Sequence, residues 1–395
     1  MTSPVAYDYD LIIIGAGAAG LSLLLALDDA GNKKTVKLVE RNIGPQSDRI
    51  WSFWNNDSVP DYLKKIITRQ WQTWAISAYK DSYSMTDQYH QYCSIRSESM
   101  MQLALERVQK NNYFNIEFDC DVIAVESGNN HALVTTKDRQ LTAQWVVDTR
   151  PPRLKTQHNG LLQSFYGEEI ITEGDVFDPS SVKLMQQLAR SELGIEFIYI
   201  LPFSKNHALI EFTCFSPTSV DRIILQARLS SKIHEIVGAN EYRVARTECA
   251  ILPMYCIDEN HNNKNKHLIY GGIAGGAMRA STGYSFLACQ RWATQCASEL
   301  ESTGLLSALP PIATIYQKMD VLMLAVLRDD LDIGVVLFVQ MFKKVKPARF
   351  ARFMTEQATA FDLFCVVWAM PKRAFIRACI RALLARKNLN EIEKK

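Results

Sequence analysis

The sequence predicts a mixed α/β protein in three parts: a parallel-sheet layer, an antiparallel sheet inserted into it, and a helical carboxy-terminal region. Three observations carry that expectation. A short apolar run, Tyr9–Ile14, leads into Gly15-Ala-Gly-Ala-Ala-Gly20 and then a leucine-rich helix. A second glycine-rich turn, Gly271-Gly-Ile-Ala-Gly-Gly276, follows another short strand far along the chain. Between them, Ile195–Ser204 and His207–Ser216 read as two strands joined at Lys205-Asn206.

The first element is a buried parallel strand because its centre is an unbroken apolar run. Gly15 permits the tight turn that follows, Gly17 lets backbone approach a pyrophosphate, and Gly20 lets helix and strand pack closely. The helix from Leu21 to about Ala30 presents free N–H groups and a positive dipole end to that turn. Thr35–Val39 forms the second strand. Glu40, about twenty residues beyond the glycines, is spaced to accept hydrogen bonds from a ribose. An acid there argues against a 2′-phosphate, with Arg41 the one neighbouring cation. The arrangement is Rossmann-like, and a dinucleotide is its expected ligand.

Arg49-Ile-Trp-Ser-Phe-Trp54 adds an aromatic cluster, which fits either simple packing or a ligand-facing wall; Trp71 and Trp74 extend it. Leu141–Asp148 reads as a further strand of the first sheet, and Pro151-Pro152 as the point where the chain leaves it. From Gln163 to Pro253 short strands dominate, with a helix expected over Ser181–Ser191. In the strand His207–Ser216, alternation places Leu209, Glu211, Thr213 and Phe215 on one face and Ala208, Ile210, Phe212 and Cys214 on the other. Glu211 is thus an acid among apolar residues. It suits either a general acid whose pKa burial raises, or a structural ion pair at a sheet edge.

The second glycine turn sits between the strand His267–Tyr270 and a helix starting near Thr282. A chain that returns to a ligand with a second glycine turn suits FAD, a long molecule with phosphates at one end and a redox ring at the other. Gly275, Gly276 and Gly283 are the candidate contacts. From Asp320 onward the pattern is helical, with basic stretches at Phe342–Arg352 and Pro371–Arg377. These suit either a solvated face or an interfacial position on an anionic bilayer.

Composition narrows the classes. Lys+Arg 44 against Asp+Glu 42 gives a net charge of +2, so no basic field suggests nucleic acid. Nine scattered cysteines form no Cys-x-x-Cys pair, so no metal site or disulfide framework is expected. The amino terminus lacks the basic and apolar regions of a secretory signal. No apolar run approaches the ~20 residues a membrane-spanning helix needs.

Taken together, these motifs resemble the FAD-dependent lycopene β-cyclase family, over nearly the whole chain. Arg49–Trp54 is similar to its R-x-W-S-F segment, Gln163–Glu169 to Q-x-F-x-G-x-E, and Phe197–Ser204 and Leu209–Ser216 to its Y-x-L-P-F-S and acidic-threonine strands. Glu248–Met254 is similar to E-x-G-x-x-P-M, and Ala274–Phe286 to the G-G-x-x-R-P-S-T-G-Y block. Val345–Met354 and Met370-Pro371 fit the tail. The resemblance implies acid–base cyclisation of the ends of a linear carotenoid. Reduced FAD takes part without net redox change, and NAD(P)H is a candidate electron donor. It makes Glu211 the candidate acid or base and gives Trp51, Phe53, Trp54 and Tyr284 a cation-stabilising role. It also implies peripheral association with the cytoplasmic side of a membrane, and leaves the oligomeric state open.

The implied domains are 1–155 with 245–300 for FAD, 156–244 for substrate, and 301–395 for the helical region. Three positions depart from the family pattern. Phe212 stands where a second acid follows Glu211, which makes Glu168 and Glu169 the alternative carboxyls. Gln186 replaces an Asp after Met185, and Ala280 replaces the proline of the R-P-S-T-G block. A flavin-dependent oxidoreductase or monooxygenase on another hydrophobic substrate, or a non-catalytic polyene-binding protein, would use the same scaffold.

Overall fold

The computed structural model describes residues 7–46, 49–155, 160–257, 266–306 and 311–381. The chain opens with β1 (Tyr9–Ile14), α1 (Ala18–Asp29) and β2 (Val36–Val39). It continues through β3 (Ile50–Trp54), α2 (Asp61–Lys64), β4 (Arg69–Trp71), the hairpin β5 (Thr73–Ala78) and β6 (Asp81–Thr86), and β7 (Tyr92–Arg96). Helix α3 (Ser97–Lys110) precedes β8 (Phe114–Glu117), β9 (Val122–Ser127), β10 (Ala132–Thr136) and β11 (Gln140–Asp148). The second half holds β12 (Leu161–Thr172), β13 (Ser181–Arg190), β14 (Ile195–Pro202), β15 (His207–Ser216), α4 (Arg222–Val237), β16 (Tyr242–Met254) and β17 (Leu268–Tyr270). Helices α5 (Phe286–Thr303), α6 (Thr314–Asp329), α7 (Asp332–Lys344), α8 (Pro347–Met354) and α9 (Ala360–Ala369) follow, with a further helical stretch over 372–381.

The first sheet runs β8-β2-β1-β11-β10-β9, with β17 pairing the end of β11. Strands β8, β2, β1, β11 and β17 are mutually parallel, while β9 and β10 turn back antiparallel. Its central strand β1 buries Leu11 to Ile14 on both faces, as the apolar run requires. Helix α1 is buried nearly all round, because its leucines meet the sheet on one side and α5 on the other.

The second sheet, β16-β12-β15-β14-β13-β5-β6, is antiparallel except where β13 meets β5. It takes β5 and β6 from early in the chain, and β16 carries residues 242–254 into it. Helix α4 covers one face: Leu225, Leu229, Ile233 and Val237, spaced i, i+4, pack on Tyr166, Ile198, Ile210 and Phe212. The other face turns toward the first sheet and the carboxy-terminal helices. A third, small sheet runs β3-β7-β4.

The expected helix at 181–191 is a strand. Its Lys, Leu, Met, Gln and Ala residues favour helix locally, but both edges of β13 are claimed by neighbours, β14 and β5. The fit costs two register shifts, near Lys183–Gln186 and Gln186–Ala189, and places Gln187 at φ 56°, where Ser77 Oγ accepts its N–H at 2.8 Å. The last glycine-rich helix also begins later than expected: 271–285 is an extended turn, and α5 starts at Phe286.

The carboxy-terminal helices are tied to that turn by a buried ion pair. Arg279, 1% exposed, donates to both carboxylate oxygens of Asp320 at 2.8 and 2.7 Å, and to Phe353 O at 3.2 Å. Ser281 Oγ donates to the same carboxylate at 2.7 Å. Among the described residues, no helix is long and apolar enough to cross a membrane. Glu391–Lys395 lies outside the described residues.

Candidate active site

The dinucleotide turn is built as its glycines require. Gly15 sits at φ +97°, a region that side-chain-bearing residues rarely adopt, and its N–H bonds Val39 O at 2.8 Å. A Cβ on Gly20 would lie 1.9 Å from Gly15 O, so helix and turn meet at this point only without a side chain. Gly17 is exposed, caps the amino terminus of α1, and has clear space where a Cβ would sit. Glu40 reaches into the turn: Ala16 N donates to it at 2.8 Å and Asn42 N at 3.0 Å. Arg41 beside it is exposed. An open anion cradle with a carboxylate at its rim fits the phosphates and ribose of a dinucleotide.

The second glycine turn packs onto the first. Gly272, at φ +61°, lies against Ala19 of α1, and a Cβ on Gly275 would strike Tyr270 O at 2.2 Å. Gly276 (φ +83°) and Gly283 (φ +73°) both occupy the left-handed region, and Gly283 faces Gln163 of the antiparallel sheet. The turn therefore joins the nucleotide layer to the second sheet. The two glycine turns expected to share one ligand are in contact.

On the second sheet, Gly167 of β12 is the cross-strand partner of Glu211 on β15 and of Glu248 on β16. The two glutamates flank a residue with no side chain, and they hydrogen-bond over it. Burial, then the Glu248 hydrogen bond and its charge, push the Glu211 carboxyl well above its ordinary pKa; Arg246 and Arg49 oppose the shift. Glu248 is anchored from the other side: Arg246 Nη1 donates to it at 2.7 Å and Ile50 N at 3.3 Å. Glu248 was legible only as part of the E-x-G-x-x-P-M likeness. What the sequence could not show is that Gly167 leaves room for it beside Glu211.

The other carboxyls lie elsewhere. Glu168 pairs with Ile210 and so lies on the α4 face, opposite Glu211; burial raises its pKa, and a hydrogen bond from Tyr166 opposes this. Glu169 shares the Glu211 face but is fully engaged. His207 Nε2 lies 2.7 Å from it, Arg246 Nε donates at 3.0 Å, and both Arg96 amino groups donate to it. Burial would raise that carboxyl, but His207, Arg96 and Arg246 outweigh it and hold it well below the usual carboxylate range. Phe212 points away into the α4 core and is 1% exposed. An acid there would not reach the Glu211 face.

The aromatic residues divide by strand alternation along β3. Trp54 faces a tyrosine cluster: its ring lies 4.6 Å from Tyr92 and 5.2 Å from Tyr284, centroid to centroid. Trp51 and Phe53 face the other way and stack on Phe286 at 5.5 and 5.3 Å. Tyr92 OH lies 2.9 Å from Tyr199 OH and 3.0 Å from Tyr284 OH. Tyr199 is the cross-strand partner of Glu211. Burial first raises the pKa of all three phenols well above normal; hydrogen bonds from Ser52 and Tyr92 oppose the shift at Tyr199, and those from Tyr284 and Ser52 at Tyr92. Tyr284 and Trp54 are expected at the site from the sequence; Tyr92 and Tyr199 are not, because their convergence with those two needs four separate elements. The result is a carboxyl of raised pKa, a linked trio of phenols and the Trp54 ring brought together through the Glu211–Tyr199 pairing.

Comparison with known proteins agrees with this architecture. The folds of a geranylgeranyl bacteriochlorophyll reductase-like protein from Thermoplasma acidophilum and a flavoprotein/dehydrogenase from Cytophaga hutchinsonii are similar. The first has a TM-score of 0.60 at 12% identity, over 91% of this chain and 95% of that one. The second has 0.57 at 13%, over 88% and 92%. A lycopene beta-cyclase from Paracoccus sp. (strain N81106 / MBIC 01143) is 26% identical over 208 residues, which span 53% of this chain and about half, 52%, of that relative. The family model for lycopene cyclase proteins matches residues 10–380, and the chain belongs to that family.

Proposed function

We propose that this chain is a flavin-dependent cyclase that closes the ends of a linear carotenoid, lycopene, into β-ionone rings by acid–base chemistry. One observation carries the reading: Glu211 meets Glu248 across Gly167, burial and that neighbour raise its carboxyl pKa, and its cross-strand partner Tyr199 bonds Tyr92 beside Trp54. A general acid for an alkene must hold a proton where water is scarce; Glu211 is part-buried, and burial is the first cause that raises its pKa.

In the proposed step the Glu211 O–H bond breaks and a C–H bond forms at the terminal double bond. An internal double bond attacks the resulting tertiary cation and closes the ring. Loss of a proton to the glutamate pair then restores both the alkene and the acid. One proton enters and one leaves, and no electrons are transferred. Trp54 and Tyr284 offer ring faces to the cation, and the phenols of Tyr92, Tyr199 and Tyr284 are tied to one another rather than free to trap it. Arg246 and Ile50 N fix Glu248, so the acid of the pair keeps one orientation. Trp51 and Phe53, stacked on Phe286, support that wall from behind.

Gly15, Gly17, Gly20 and Glu40 are the residues we assign to the FAD phosphates and ribose, with Gly275, Gly276 and Gly283 toward its ring. When bound in reduced form, FAD supplies negative charge near the cation without net electron transfer; NAD(P)H is its proposed reductant. A hydrocarbon substrate resides in the bilayer, so the protein works as a peripheral membrane protein. The test is expression in a lycopene-making host. Cyclic end groups support the reading. Linear lycopene beside folded, FAD-loaded protein would count against it, as would net NAD(P)H consumption matched to product.

A further inference from the structure

The basic stretch at Phe342–Arg352 does not offer its apolar face to a surface. Phe342, Phe350 and Phe353 are all buried against the core. The unpartnered apolar face lies one helix further on. Helix α9 buries Asp362, Val366 and Ala369 on its inner side. Its outer side, where an ordinary surface helix is polar, presents Phe361, Phe364 and Trp368, which are 59%, 58% and 61% exposed. Their spacing i, i+3, i+7 puts them in a row, and the rings stack near-parallel at 6.4 and 5.9 Å. At about 150–250 Å² per full aromatic side chain, three such rings expose a few hundred Å² in one strip. The next helical stretch, 372–381, continues it with Ile376 and Ile380, 58% and 51% exposed.

Charge decides what this strip fits. A cation closes each end of the ring stack: Arg349 lies 4.7 Å from the centroid of Phe361, and Lys372 lies 3.9 Å from that of Trp368. Arg373 and Arg377 are exposed beside the isoleucines. The only acid from 360 to 381, Asp362, is turned inward and paired with Arg352 and Arg349. Among the described residues, Asp329, paired with Arg381, is the acid at the far end of 372–381, while Lys372, Arg373 and Arg377 stand exposed beside the apolar side chains. An aromatic strip with such cations along it matches the interface of an anionic bilayer. Rings sit there at headgroup depth, while basic side chains extend to phosphates.

We infer that α9 and 372–381 form a membrane-docking blade, with Phe361, Phe364 and Trp368 inserted into the headgroup region of an anionic phospholipid bilayer and Lys372, Arg373 and Arg377 on its phosphates. This deepens the peripheral-membrane part of the reading above. It orients the protein by its last helices, which Arg279 and Asp320 tie to the second glycine turn through α6.

Co-sedimentation of the full chain with sucrose-loaded vesicles tests it. The wild type is expected to bind phosphatidylcholine–phosphatidylglycerol vesicles more tightly than phosphatidylcholine alone, less so as salt rises. Phe364→Ser/Trp368→Ser should lower the partition coefficient at least about tenfold on both, with an unchanged melting curve. Arg373→Glu/Arg377→Glu should weaken binding to the anionic vesicles only. Wild-type protein that binds neither vesicle, or an aromatic variant that binds like wild type, would overturn the proposal. So would a dimer in analytical ultracentrifugation that Phe364→Ser/Trp368→Ser dissociates, because a second copy would then cover the strip. Cyclisation of micelle-solubilised lycopene separates the two claims: vesicle binding without cyclisation contradicts only the cyclase, and cyclisation without vesicle binding only the blade.

Discussion

Glu211 and Glu248 come from strands that are not neighbours, and they meet only because Gly167 on the strand between them has no side chain. A Cβ at position 167 would lie 2.7 Å from Glu211 Cγ and 3.4 Å from Glu248 Cγ. The pair is thus a product of one glycine in the register of three strands.

Gly167→Ala should therefore separate the carboxyls. The expected loss in cyclisation rate is about tenfold or more, with roughly 1–3 kcal/mol of overpacking cost in a denaturant titration. A variant with wild-type turnover would show that the hydrogen bond between the glutamates is dispensable.

The pH profile follows from the direction of the Glu211 shift. Its raised pKa extends the acid form to higher pH, so the rate should be high on the acid side and fall as pH rises through the Glu211 value. The same shift contributes folding stability that is present below the ordinary glutamate value and is lost as pH rises through the raised one. Glu248→Gln removes the neighbouring charge but leaves burial, the first cause of the shift. The alkaline limb should then move to lower pH. A limb that stays in place would assign it to another group.

Phe212→Glu recreates the adjacent acids of the family pattern, yet it should not raise turnover. The new carboxyl would enter the core between β15 and α4, beside Leu225 and Leu229. A loss of several kcal/mol of stability, or a strongly raised carboxyl pKa, is expected. Higher activity per folded molecule would show that the acid reaches the Glu211 face.

Arg279→Met leaves Asp320 buried at 2% exposure without its cation. Breaking such a pair costs about 3–5 kcal/mol, which a thermal or chemical melt would register. Because the pair ties the second glycine turn to α6, FAD affinity should fall with it. Wild-type stability would mean that Ser281 alone holds the turn.

The elements legible in the sequence were those in which local signal and tertiary demand agree. The apolar run of β1 with its glycines, the hairpin of β14 and β15, and the face on which Glu211 lies all follow from period and turn chemistry. The strand at 181–190 was not legible, because its residues favour a helix and only pairing on both edges overrides them. The glutamate pair was half legible. Alternation placed Glu211, but its partner is fixed by the register of β12 against β16, which has a shift between Glu169 and Ile170 that no single-strand pattern encodes. The tyrosine cluster was hidden for a similar reason, since β7, β14 and the 271–285 turn each contribute one hydroxyl.

The central claim is that the Glu211 proton starts the reaction. Its most direct measurement is the rate at which purified Glu211→Gln protein, matched to wild type in flavin content and melting temperature, converts lycopene to cyclic product. Loss of a positioned general acid predicts a fall of about 10²-fold or more. Turnover equal to the wild type would contradict the account and move the acid elsewhere on the surface.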